Sequence, residues 1–184
     1  MPAMLRHADP DRDGAACAAI YEPHVLAGMA TFEEQPPSGG DMASRIAAIS
    51  RTHPWLVAER DGAVAGYAYA SPHHDRPGYR WAADVAVYVD ARRQRGGVGR
   101  ELYEGLLPLL ARQRLHVACA GIALPNDASV ALHRAVGFEP VGVYRAIGFK
   151  RGRWLDVGWW QARLRPARDG EPPAEPLAPQ RLTA

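Results

Sequence analysis

A glycine-rich segment in the middle of the chain most constrains how it can fold. The alternating run ADVAVYV ends at Val89, and three of residues 96–99 are glycines that precede the amphipathic run RELYEGLLPLLAR. Glycine is costly at a helix start unless something must approach the bare backbone there. The first N–H groups of a helix are unpaired and its dipole favours negative charge, which Arg95 and Arg100 can reinforce. The segment therefore predicts a strand, a loop and a helix that bind an anion.

Two common phosphate-binding loops do not fit this segment. A P-loop needs lysine and then serine or threonine after its glycines, but here Gly99 is followed by Arg100 and Glu101. A dinucleotide fingerprint needs a third glycine, which is missing after Gly97 and Gly99, and no acidic ribose partner is evident.

The remaining pattern predicts a mixed α/β sheet covered by helices. WLVAERDGAVAGYAYA reads as a hairpin that turns at Asp61-Gly62, and the segment from Val141 to Leu164 reads as a second strand pair. Asp41 is the predicted N-cap of a helix, and Pro108 is expected to bend or shorten the helix that begins near Gly97.

Composition indicates an ordinary globular protein. A net charge of +2 over 184 residues, with scattered arginines, argues against nucleic-acid binding, and no apolar run is long enough for a membrane span. Cys17 and Cys119 match no metal or redox spacing, and the N-terminus lacks the apolar core of a signal peptide, so we expect a cytoplasmic protein. We expect one domain over residues 1–164 and a disordered, proline-rich tail over 165–184.

The segment VYVDARRQRGGVGREL resembles the acetyl-CoA motif of the GNAT acetyltransferases, in which Gln94, Gly97 and Gly99 occupy the motif positions. The resemblance implies the GNAT fold, with a central, mostly antiparallel sheet and helices on both faces. It also implies that the strand backbone holds the pantetheine arm of acetyl-CoA and the loop holds its diphosphate. The implied cofactor-binding residues are Val87, Tyr88, Val89, Gln94, Arg95, Gly96, Gly97, Val98, Gly99 and Arg100.

Four further segments extend the resemblance: PWLVAERDGAVAGYAYASP, YRWAADVAVYV, GIALPNDASVALHRAVGF and GFKRGRWLDVGWWQ. Together they resemble the phosphinothricin N-acetyltransferase branch over residues 4–164. The branch transfers acetyl to the α-amine of phosphinothricin or methionine sulfoximine and usually forms homodimers. The resemblance thus implies a small amino-acid substrate and a homodimer, and from the residues themselves we expect no metal, nucleic-acid or membrane partner.

Two residues are the candidates for proton transfer, which acetylation of an amine requires. Asp84 stands where the branch has a glutamate, and it can act as the base, orient the substrate, or be a strand-end aspartate bonded to backbone. His133 matches a branch histidine that can donate or relay a proton to the leaving thiolate, or it can be a helix histidine packed against Val130 and Phe138.

The resemblance also suggests residues around the two substrates. Asn126 is expected to cap its helix and, with Ser129, to contact acetyl-CoA. The candidate substrate-binding residues are Phe32, Arg76, Tyr79 and Arg80.

This interpretation has two alternatives. A metal site at the adjacent His73, His74 and Asp75 is rejected, since neighbouring histidines seldom point at one ion. Another amine as acceptor, or a non-catalytic acetyl-CoA-binding module, remains an alternative function.

Overall fold

The computed structural model describes residues 3–179, which form one seven-stranded sheet with helices on both faces. None of the helices in this range is long and apolar enough to cross a membrane. The strands are β1 Met4–His7, β2 Trp55–Arg60, β3 Ala63–Pro72, β4 Ala82–Val89, β5 Val117–Leu124, β6 Glu139–Lys150 and β7 Arg153–Arg163. The α-helices are α1 Pro10–Leu26, α2 Gly39–Ile49, α3 Val98–Arg112 and α4 Asp127–Ala135.

The sheet is mostly antiparallel, as the sequence predicted. Its order is β1-β2-β3-β4-β5-β7-β6, and all neighbours are antiparallel except β4 and β5. The parallel pair is short, because only residues 82–84 pair with residues 117–119. The centre of the sheet therefore opens beyond these three positions.

Alternation along the strands divides the core between the two faces of the sheet. Leu56 and Ala58 belong to the cluster under α3, whereas Trp55 and Val57 belong to the cluster under α1 and α2. On β4, Val85 packs on the α3 face. Side chains one position away along the strand, including that of Asp84, therefore face the α1 side.

The two predicted hairpins are present. Asp61-Gly62 joins β2 to β3 with φ angles of 52° and 75°, and Arg151-Gly152 joins β6 to β7 with 50° and 74°. Two consecutive positive φ angles are typical of the tight turns whose twist matches that of the strands.

Two local predictions about the helices need correction. Ser38, not Asp41, is the N-cap of α2: Asp41 lies three residues inside, and its carboxylate accepts a hydrogen bond from the Ser38 backbone N–H in a capping box. Of the two outcomes expected at Pro108, an early end of the helix is wrong, because α3 continues through Pro108 to Arg112, whereas a bend there stays a prediction. Leu106 and Leu110 on either side of the proline are fully buried, and this packing offsets the lost hydrogen bond.

The C-terminal segment contains no helix or strand over residues 165–179, yet part of it lies against the domain. Arg80 forms a salt bridge of 2.6 Å with Glu175, and Trp81 Nε1 donates to the Ala174 carbonyl at 3.0 Å. This stretch of the expected loose arm is therefore in contact with the fold. The last five residues of the predicted tail lie outside the described residues, and the domain boundary stays a prediction.

A buried ion-pair network joins α1 to the first two strands. Arg6 donates to both oxygens of the fully buried Asp13 at 2.6 Å and, through Nε, to Glu59 at 3.0 Å. Burial alone would raise the pKa of Asp13, but the hydrogen bonds from Arg6 and the Asp9 backbone, together with the charges of Arg6 and Arg12, outweigh burial and hold it below its ordinary value.

Replacing Asp13 with alanine should lower the free energy of unfolding by about 3 kcal/mol near pH 7, because Arg6 loses its main partner in a largely buried site. Urea denaturation measures this loss, and Glu22→Ala, at an exposed position of the same helix, should change stability by less than about 0.5 kcal/mol. Because folding lowers the pKa of Asp13, its contribution is present above the unfolded pKa. The difference should therefore shrink as the pH falls below about 4. Equal stability of the two variants would contradict the role of this network.

Candidate active site

A cleft opens where β4 and β5 separate. Asp84 and Cys119 form the last paired position, and beyond them the two strands diverge. A cavity of about 640 Å³ fills the gap, lined by residues 85–89 of β4 and 120–123 of β5. The other edge of β4 pairs with β3, so the backbone groups of its inner edge can pair only with water or a bound molecule.

The glycine-rich loop closes one end of this cavity. Gly97 is the N-cap of α3 with φ +83°, a left-handed conformation that glycine adopts without strain. A Cβ on Gly99 would lie 3.0 Å from Leu132 of α4, so this glycine lets the two helices approach. Gly96 instead lies against Arg60. The loop residues that line the cavity are Gln94, Arg95, Gly97, Val98, Gly99 and Arg100.

The charge at this end favours an anion. Arg95 forms no ion pair within residues 3–179, whereas Arg100 is paired with Glu104 at 2.7 Å. The N-terminus of the fifteen-residue helix α3 adds its positive dipole end to the Arg95 charge. The loop is therefore suited to a phosphate group, as the sequence predicted.

The start of α4 forms the opposite wall. The Asn126 side chain accepts a hydrogen bond from the Ser129 backbone at 3.1 Å, which confirms the predicted cap. Asn126 and Ser129 both line the cavity.

His133 lies in the same wall, buried against Phe138 with 5.0 Å between ring centroids. Its Nδ1 is 2.7 Å from the Ser129 carbonyl oxygen, which can only accept, so we assign the ring proton to Nδ1. Nε2 then accepts from the Tyr103 hydroxyl at 2.9 Å. Burial lowers the pKa of His133, so the ring is neutral at pH 7. His133 is therefore both packed against apolar neighbours and hydrogen-bonded to Tyr103, so the two alternatives for this residue do not exclude each other.

Asp84 lies at the apex of the cleft, hydrogen-bonded through Oδ1 to His73 Nδ1 at 2.7 Å. Burial raises the pKa of Asp84, and the His73 bond offsets part of this rise. Burial and the nearby Asp84 charge raise the pKa of Cys119 to about 11, so its thiol stays protonated near neutral pH.

His73, Asp84 and Cys119 also lie close enough to share a metal ion, with their ligand atoms within 4.8 Å of one another. No other such group occurs among residues 3–179. In the structure, however, His73 and Asp84 bond directly to each other.

A second cavity of about 590 Å³ adjoins the first and shares Ala30, Gly121 and Ala123 with it. Its walls are apolar. The predicted Phe32 belongs to them and lies directly on Gly148, where a Cβ would meet the ring at 2.1 Å. The other side chains include Tyr144, Ile147, Phe149, Val157 and Trp159.

Cations from the β6–β7 turn hold the loop that carries Phe32. Lys150 Nζ donates to the Thr31 carbonyl at 2.7 Å, and Arg151 donates to the Leu26 carbonyl. Lys150 and Arg151 are therefore engaged in holding this loop to the last hairpin.

The other predicted acceptor-binding residues, Arg76, Tyr79 and Arg80, line neither cavity. Arg80 is occupied by Glu175, and Arg76 is exposed. Tyr79 contacts the His73 ring, with 5.9 Å between centroids. Phe32 is thus the member of that set that lines the second cavity.

Sequence reasoning missed Tyr103 and the pairing of His73 with Asp84. Tyr103 reads as one more core position of an amphipathic helix, because nothing along the chain connects it to His133, thirty residues later. His73 and Asp84 are separated by a turn whose path the sequence does not specify.

A profile of the acetyltransferase (GNAT) domain matches residues 9–159. The chain therefore belongs to the GNAT acetyltransferase family, and it is an N-acetyltransferase by class.

Its relatives include enzymes that act on amino-acid analogues. The chain is 40% identical over 164 residues to a phosphinothricin N-acetyltransferase from Streptomyces viridochromogenes, covering 89% of this chain and 86% of that protein. It is 35% identical to an L-methionine sulfoximine/L-methionine sulfone acetyltransferase from Salmonella typhimurium, covering 83% and 91%. A solved phosphinothricin acetyltransferase from Sinorhizobium meliloti, in complex with AcCoA, has a TM-score of 0.85 and 37% identity, covering 92% and 95%.

The His133 ring should be neutral at pH 7 with its proton on Nδ1, because burial lowers its pKa and the Ser129 carbonyl requires a donor. Nitrogen-15 chemical shifts of the imidazole would measure both properties. The midpoint of its titration should lie below the ordinary histidine value near 6.5. In Tyr103→Phe, the Nε2 shift should change while Nδ1 stays protonated. A doubly protonated ring at pH 7 would contradict this assignment.

Proposed function

We propose that the protein transfers the acetyl group of acetyl-CoA to the α-amine of a small amino acid of the phosphinothricin or methionine sulfoximine type. One observation carries the proposal: β4 and β5 separate just beyond Asp84 and Cys119, and the cleft suited to acetyl-CoA that opens there adjoins an apolar pocket suited to the acceptor. The two named relatives act on these acceptors.

The cleft fits acetyl-CoA in shape and chemistry. The inner edge of β4 at Val87, Tyr88 and Val89 offers unpaired backbone groups to the amides of the pantetheine arm. The α3 N-terminus and Arg95 suit the diphosphate. Asn126 and Ser129 would contact the arm from α4. When bound, acetyl-CoA supplies the thioester carbonyl that the amine attacks.

Proton transfers on opposite faces of the sheet would complete the reaction. The Asp84 carboxylate lies on the α1 face, where its charge favours removal of a proton from the acceptor amine. Tyr103 and His133 lie on the α3 face and would relay a proton to the departing thiolate sulfur. The Cys119 thiol stays protonated, which supports direct attack in a ternary complex over an acetylated cysteine.

The second cavity supports a small acceptor with an apolar side. Phe32 and Trp159 would pack against its methylene groups. For its acidic groups, Arg76 and Tyr79 remain the proposed partners beside His73, and Arg80 would serve if it released Glu175.

We also assign the protein to the cytoplasm, since its two cysteines are unpaired and acetyl-CoA is a cytoplasmic metabolite. Acetylation there would remove the positive charge of the phosphinothricin amine and so protect a cell from this herbicide. The proposed reaction needs no metal ion.

Steady-state thiol release from acetyl-CoA tests the function, with phosphinothricin, methionine sulfoximine, ordinary amino acids and a peptide amine as acceptors. We expect saturable turnover on the first two and a loss of at least about 100-fold in kcat for Asp84→Ala. Asp75→Ala, at an exposed carboxylate nearby, should retain activity.

Two other results would each overturn part of the proposal. Turnover restricted to another amine would keep the cofactor and reject the acceptor. Acetyl-CoA binding by calorimetry without turnover on any amine would instead indicate a non-catalytic acetyl-CoA-binding protein.

We further propose a homodimer formed through β6, which is the outer strand of the sheet and exposes an apolar surface. Light scattering should give twice the mass of one chain. Val143→Lys, in the middle of this strand, should shift the mass to that of a monomer. Leu177→Lys, at an exposed apolar residue far along the chain, should not. A wild-type monomer would reject the dimer. The exposed apolar residues of the hairpin are Val141, Val143, Tyr144, Ile147, Phe149 and Trp154.

A further inference from the structure

His73 connects the Asp84 carboxylate to the acceptor pocket. It follows β3 directly, and its Nδ1 lies 2.7 Å from Asp84 Oδ1. Its ring stands edge-on to Trp159, with 5.9 Å between centroids and 84° between planes, and Trp159 lines the second cavity. The side chain is 28% exposed, and its contact with Trp159 places it directly behind a wall of that cavity.

The hydrogen bond to Asp84 fixes which ring nitrogen can take a proton. An ionised carboxylate only accepts hydrogen bonds, so Nδ1 donates and Nε2 carries the lone pair of the neutral ring. Nothing within residues 3–179 hydrogen-bonds to Nε2. A carboxylate that holds one imidazole nitrogen and thereby prepares the other as a base is an arrangement that several unrelated enzyme classes use.

Asp84 by itself is poorly arranged to take the proton. Its side chain is short, and Oδ1 is already committed to His73. The imidazole extends the reach of the carboxylate by the width of a ring, toward the Trp159 side. The Cys119 thiol, the third member of the group, remains protonated and does not compete as a base.

Resting on the acetyl transfer proposed above, we propose that His73 Nε2 is the general base and that Asp84 is the residue that positions it. Nε2 takes one proton from the α-ammonium group of the acceptor, and the freed nitrogen lone pair forms the C–N bond as the C–S bond breaks. The nitrogen then loses a second proton to water, and the departing thiolate sulfur takes one from the Tyr103 hydroxyl, which regains a proton from water. His73 returns its proton to water, so the net release is one proton.

Three variants separate this arrangement from a direct role of Asp84. His73→Asn keeps a donor to Asp84 but has no group in place of Nε2. His73→Ala leaves a space that free imidazole can enter. His74→Asn, at the exposed neighbouring histidine, is the matched control.

We expect kcat to fall at least about 100-fold in His73→Asn and His73→Ala, with acetyl-CoA affinity by calorimetry unchanged within about twofold. Free imidazole should restore part of the His73→Ala rate but none of the His73→Asn rate. Asp84→Asn should lower kcat, and the double variant His73→Asn with Asp84→Asn should lose little more, because the two residues act as a unit. His74→Asn should behave as the wild type.

A spectroscopic measurement tests the same claim without turnover. Nitrogen-15 chemical shifts of the neutral His73 ring should show the proton on Nδ1 in the wild type. In Asp84→Ala, the ring should no longer prefer this tautomer. Shifts that put the proton on Nε2 would overturn the proposal.

The kinetic results also separate failure of the general-base assignment of His73 from failure of the proposed acetyl transfer. A wild-type rate in His73→Asn, with Asp84→Asn inactive, would make Asp84 the base and leave the acetyl transfer intact. Wild-type turnover that a chelator abolishes and zinc restores would assign His73, Asp84 and Cys119 to a metal instead. Absence of wild-type turnover on every amine would reject both proposals.

Discussion

The separation of β4 from β5 is the constraint on which the rest of the structure depends. A sheet normally pairs every inner strand on both edges, because unpaired backbone groups are costly when they are buried. Here pairing stops at Asp84 and Cys119, and one edge of β4 is left to a ligand. The opening simultaneously creates the cavity and sets Asp84 at its apex.

The opening also places two pairs of hydrogen-bonded side chains on opposite faces of the sheet. Because side chains alternate along a strand, Asp84 and Val85 face opposite surfaces of the sheet. His73 joins Asp84 on one side, and Tyr103 bonds to His133 on the other. A reaction centre between the strands can therefore lose a proton to one face and gain one from the other, with the two sites kept apart by the sheet.

The second cavity depends on a different set of contacts. Phe32 reaches it because Gly148 leaves room for the ring, and the loop is held by Lys150 and Arg151 through backbone carbonyls. The second cavity is thus assembled from the loop after α1 and the last hairpin, which lie more than a hundred residues apart in sequence.

The sequence alone determined the features that depend on local spacing. The alternation of β4, the glycine-rich start of α3, the Asp61-Gly62 turn and the Asn126 cap follow from residue type and position. Tertiary structure decided which side chains from distant segments of the chain contact each other. His73 meets Asp84 only because β3 pairs with β4, and packing of α3 against α4 brings Tyr103 to His133. Hydrogen-bond partners of this kind depend on how elements pack, and a local pattern carries no information about that.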